Sequence, residues 1–78
     1  VPDADLQSET AELARVLASG PALAFGATKM LISREQDMDL GSSIELEAVA
    51  QALLMTSADH AEFYAAFTGK RPPEWKGR

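Results

Sequence analysis

An all-α chain of about four short helices is the fold class this sequence predicts, and three observations carry that reading. Apolar residues recur at three- and four-residue spacing in several stretches. Glycine, proline and serine signals fall between those stretches. No segment shows the strict apolar-polar alternation of a half-buried strand worth assigning. At 78 residues, with 46% hydrophobic and 24% charged, the chain is one domain at most and an ordinary globular mixture.

The first helix is expected to start after Asp3, with Pro2 ahead of it and acids crowding its early turns, where the helix dipole favours them. Leu6, Thr10, Leu13 and Leu17 recur at helical spacing until Gly20-Pro21 ends the run. A second helix is expected from Pro21, with Leu23, Ala27, Met30 and Leu31 as its apolar stripe. Gly26 weakens that helix unless another backbone approaches it closely. The third is expected to start near Ser42 or Ser43 and run to about Thr56, with Glu45 completing a capping box if Ser42 is the cap. Its apolar residues, Ile44, Leu46, Val49, Leu53, Leu54 and Met55 with interspersed alanines, cover more than one face. A helix apolar on several sides must be buried on several sides, which three short neighbours cannot manage. Oligomerisation, or packing on a larger domain, is therefore expected. The fourth helix opens at Ser57, carries Phe63, Tyr64 and Phe67, and stops at Gly69 before Pro72-Pro73.

Charge and composition narrow the function classes. The net charge is −5, with nine acids against three bases over residues 1–58 and four bases against one acid over residues 70–78. The acidic body argues against nucleic-acid binding, and on charge alone the basic end reads as a solvated tail. Apolar runs are too short to span a membrane, and the acidic opening VPDADL is unlike a signal peptide. Without cysteine there is no disulfide and no thiolate metal site. That composition fits a reducing compartment, and a cytoplasmic location is expected. The missing initial methionine suggests a piece of something longer.

Several residues raise chemical questions. The stretch DLGSSIELEAVAQALL over residues 39–54 sets a serine at a helix mouth behind an acid, which is how an acyl carrier protein presents its phosphopantetheine site. Ser43 (or Ser42) is the attachment candidate, against the commoner role of a serine as helix cap. His60 has no HxxxH or HxxE constellation and reads as a first-turn polar residue of the fourth helix. Glu45 and Glu47 are two apart on a helix and do not face each other. Phe67 and Lys70 set an aromatic face and a cation three residues apart at a helix end, beside Arg71, a pattern able to stack on a purine and meet a phosphate. A small helical adaptor, using the third helix to bind a partner, is a further non-enzymatic reading.

Four ordered pieces, VPDADL, LASGPALAFGATKMLI, LEAVAQALLMTSADHAE and AFTGKRPPEWKGR, together resemble the C-terminal part of the enoyl-CoA hydratase/isomerase family, the crotonase superfamily, over essentially all 78 residues. The resemblance implies an α/β spiral catalytic domain ahead of this chain, with the acyl-CoA pocket, an oxyanion hole and, in hydratases, two catalytic glutamates. It implies that residues 1–78 are the helical segment that covers the CoA site and builds a trimer, often paired into a hexamer. No catalytic residue is implied here, and no cofactor beyond acyl-CoA as substrate. The family's Ala-Phe-x-x-Lys-Arg motif, whose phenylalanine and lysine approach CoA on a neighbouring subunit, falls on Phe67 and Lys70. Hydration of a trans-2-enoyl-CoA, in fatty acid metabolism, is the implied activity of the parent. Phe63 stands where the family usually has glycine, which is expected to reshape the acyl pocket or the trimer contact, and Gly69 is unusual between Phe67 and Lys70.

Overall fold

The computed structural model describes Val1–Arg78 as helices α1 (Leu6–Ala18), α2 (Ala22–Glu35), α3 (Leu40–Leu54) and α4 (Ala58–Thr68), with no strand. A 3-10 turn over Asp3–Asp5 precedes α1, and an extended tail follows α4. The all-α, four-helix expectation therefore holds. No single helix is long and apolar enough to cross a membrane.

Helix starts differ from the sequence reading in physically informative ways. Asp3 begins the 3-10 turn and caps nothing, and Asp5 precedes α1 without a side-chain cap bond. Pro21 sits just outside α2 in an extended conformation, so the helix starts one residue later than expected. At the α1–α2 corner, where the axis turns by 109°, the Phe25 ring folds back over Gly20, and a Cβ there would push that ring aside. Gly26, by contrast, has nothing beyond its chain neighbours and its own helix backbone within 4 Å of where a Cβ would stand.

The largest revision concerns α3. Its cap is Asp39, not a serine: the carboxylate accepts from the Ser42 amide at 2.8 Å and from the Ser42 hydroxyl at 3.0 Å. A charged acceptor makes the stronger bond to a free first-turn amide, so Asp39 takes the role for which the two serines were candidates. Those bonds hold the Asp39 carboxyl below the usual carboxylate range, the Ser42 amide contributing most. Ser57 behaves as expected and accepts from the His60 amide at 3.0 Å.

Packing between these helices is slight. Only Leu31, Ala66 and Asp59 are buried, three of 78 residues. Leu40, Ile44, Val49, Leu53 and Met55 along α3 are all more than half exposed. The molecule measures 44 × 39 × 17 Å, with a radius of gyration of 15.8 Å, against about 11–12 Å for a globular chain of this length. Its accessible surface is 6307 Å², whereas about 4,600 Å² is usual for a folded monomer of 8.4 kDa. The helices lie in a thin slab whose apolar faces are left uncovered by the chain itself.

Candidate functional site

Two features converge on α4. The first is the tail, which is tethered to α4 while most of its residues stay exposed to solvent, as charge alone suggested. Asp59 and Glu62, three apart on one face of α4, hold it from below. The Asp59 carboxylate accepts from the amides of Lys76 at 2.6 Å and Gly77 at 2.9 Å, and the Asp59 amide donates to the Arg78 carbonyl at 2.8 Å. Glu62 takes the Arg71 guanidinium in a fork, at 2.6 and 2.9 Å, and accepts from the Glu74 amide at 2.7 Å. Charge-assisted bonds of this kind are the strong ones, which is why the tail lies back along the helix.

The Arg71 fork, and then the Glu74 amide, hold the Glu62 carboxyl down at about 2. A depressed folded-state value means stability that is present at neutral pH and lost as pH falls from the ordinary carboxylate value toward about 2. Release of the tail across that window is expected to alter the fluorescence of Trp75, which the tail carries half-buried against α4. Glu62→Gln is expected to flatten that pH response. An unchanged response in the variant would mean that this carboxylate does not hold the tail.

The second feature is the end of α4. Gly69 closes the helix in a right-handed conformation, and it is Lys70, at φ 54°, that takes the left-handed step usually given to glycine. The Lys70 amide donates to the Phe67 carbonyl at 3.3 Å and the Arg71 amide to the Ala66 carbonyl at 3.0 Å. This is the paired-bond helix stop known as the Schellman motif, with a lysine in its glycine position. Phe67 is 74% exposed, and its ring stacks on that of Phe63 with centroids 6.1 Å apart and planes 26° apart. Lys70 enters no ion pair, while Arg71 is committed to Glu62. The aromatic face and the free cation of the Phe67–Lys70 pair are thus both open, and Arg71 is not part of that open group.

The remaining candidates fall out differently. The Ser42 hydroxyl is bonded to Asp39 within the first turn of α3. His60 lies in the first turn of α4, as expected. It lines a cleft of about 220 Å³ between the start of α2, the end of α3 and Trp75, whose other walls include Leu23, Leu54 and Phe63. No cluster of three potential metal ligands exists. Glu45 and Glu47 do not pair with each other. Instead, Glu47 faces Glu35 at the end of α2, and burial, followed by the nearby Glu47 carboxylate, pushes the Glu35 carboxyl up. Sequence reasoning missed the Asp59–Glu62 anchor, because most of its bonds run to backbone amides 12 to 18 residues along the chain and leave no local signature.

No family model matches the chain. A protein from Rhodobacter capsulatus described as a probable enoyl-CoA hydratase is 40% identical over 78 residues, which are the whole of this chain and 30% of that protein. The 1,2-epoxyphenylacetyl-CoA isomerase of Escherichia coli is 35% identical over the same span, again 30% of its length. A crystal structure from Streptomyces coelicolor A3(2), described as a putative enoyl-CoA hydratase, superposes with a TM-score of 0.95 at 52% identity, covering 100% of this chain and 28% of that one. The chain thus spans about 30% of the length of the curated relatives it matches. With relatives of this kind, the carrier reading of Ser42 and Ser43 is set aside.

Proposed function

Because the chain belongs to the crotonase superfamily, as its C-terminal helical segment, we propose that it serves an acyl-CoA enzyme by building the oligomer and by closing the CoA site. The observation that carries this reading is a mismatch of burial and fold. A segment that buries three residues of its own nevertheless matches, at a TM-score of 0.95, part of a protein more than three times its length. Its shape is therefore held by something outside it. The surface in excess of a folded monomer is about 1,700 Å², roughly twice what a standard interface takes from one partner. Packing on the catalytic domain and on neighbouring subunits of a trimer or hexamer accounts for that excess.

Phe67 and Lys70 are the CoA-binding residues in this reading. An exposed ring offers a π-face to a purine, and an unpaired ammonium beside it offers charge-assisted bonds to a phosphate. Their role is to bind and orient. The parent reaction is read as syn addition of water to a trans-2-enoyl-CoA, with backbone amides outside this chain stabilising the enolate-like thioester. The relatives include both a hydratase and an isomerase by name, and hydration is preferred as the family's commonest activity.

The test is a hydration assay of the protein that contains this chain, following loss of the conjugated enoyl thioester of crotonyl-CoA. Turnover is expected, with Lys70→Ala raising KM and leaving kcat in place. A protein indifferent to every acyl-CoA thioester would overturn the reading.

A further inference from the structure

Phe63 has no part in the function so far assigned to α4, yet it is the residue that touches Phe67. The two are one helical turn apart, at the i,i+4 spacing that brings side chains together on a helix. Their rings lie 6.1 Å apart and 26° from parallel, inside the range in which offset aromatic pairs attract. Phe63 is 52% exposed, and it forms part of the wall of the cleft that Trp75 and Leu54 also line. Phe67 is the more exposed of the two, at 74%. An exposed phenylalanine at the end of a helix is free to change rotamer, and a base that stacks on it must arrest that motion. A neighbouring ring stacked on it removes part of that cost.

We infer that Phe63 is a positioning residue for CoA, holding the Phe67 ring as a preset platform for the nucleotide base. The inference rests on the reading that Phe67 meets the nucleotide end of CoA. It goes beyond that reading by giving a role to Phe63, which itself need not touch the ligand. It also restricts the effect to one end of the substrate: the platform acts on the base and not on the acyl chain or the thioester.

The experiment uses the full protein and two substrates, an enoyl-CoA and the same enoyl group on pantetheine, which lacks the nucleotide. With Phe63→Leu, KM for the CoA thioester is expected to rise about 3- to 10-fold, kcat to hold, and KM for the pantetheine thioester to hold. Phe63→Tyr is expected to restore the parent KM, because it restores the ring. An equal KM change on both substrates, or loss of assembly by sedimentation in the leucine variant, would overturn the inference in favour of a packing role. If Phe67→Ala raises KM for the CoA thioester and Phe63→Leu does not, Phe63 positions nothing and the CoA reading stands. If neither variant changes KM, both fall together.

Discussion

Expressed alone, the 78-residue chain is expected to show helical circular dichroism without a sharp, cooperative unfolding transition. Its four helices run from 11 to 15 residues, and isolated helices of that length are marginal in water. Tertiary burial normally makes up the difference, but here it covers three residues. Fixing the backbone costs about 1–2 kcal/mol per residue, and one buried leucine with one buried alanine cannot offset that over a whole domain. The tail anchor adds bonds of good geometry without adding a core. The measurement is a urea titration read by both the helical signal and the near-ultraviolet signal of Trp75 and Tyr64. Broad, non-coincident transitions are expected. A single steep transition, with a slope of about 1 kcal/mol/M or more, would instead favour a self-contained helical adaptor.

Lys70→Gly is expected to move stability and binding in opposite directions. At φ 54° the backbone of Lys70 occupies the left-handed region, which costs a non-glycine residue roughly 1–2 kcal/mol. Glycine at that position removes the cost and fits the paired-bond helix stop better, so the full protein is expected to gain about 1 kcal/mol. The same change deletes the ammonium proposed to meet a CoA phosphate, and KM for the CoA thioester is expected to rise about tenfold, in line with loss of a charge-assisted hydrogen bond. Lys70→Ala separates the two effects, because it loses the cation and keeps the strain. Thermal unfolding and steady-state kinetics on the three proteins decide the matter. A glycine variant that gains stability with an unchanged KM would remove Lys70 from the binding site.

How much of this was legible in the sequence depends on the range of the interaction. The helices announced themselves through local spacing, and Gly20-Pro21, Ser57 and Gly69 marked their ends to within a residue or two. Asp39 was passed over because two serines stood where a cap belongs, and spacing alone does not rank a carboxylate above a hydroxyl. The apolar faces of α3 were legible as a surplus, and the structure turns that surplus into exposed Leu40, Ile44, Val49 and Leu53. The tail anchor was not legible, since bonds from Asp59 to the amides of Lys76 and Gly77 cross 17 and 18 residues without any local signature. Glu35 and Glu47 met for the same reason, across two helices. Phe67 and Lys70 formed only a weak pattern from spacing. Their assignment to CoA came from the family resemblance, and what the structure adds is that Arg71 is taken by Glu62 while Lys70 is not.

The uncovered faces of these helices are expected to be interfaces. Sedimentation velocity of the protein that contains this chain, at micromolar concentration and neutral pH, tests that most directly. A trimer, or a hexamer formed from two, is the predicted result, with Leu53→Arg on the exposed face of α3 shifting it toward smaller species. A stable monomer, unchanged by the arginine, would contradict the account.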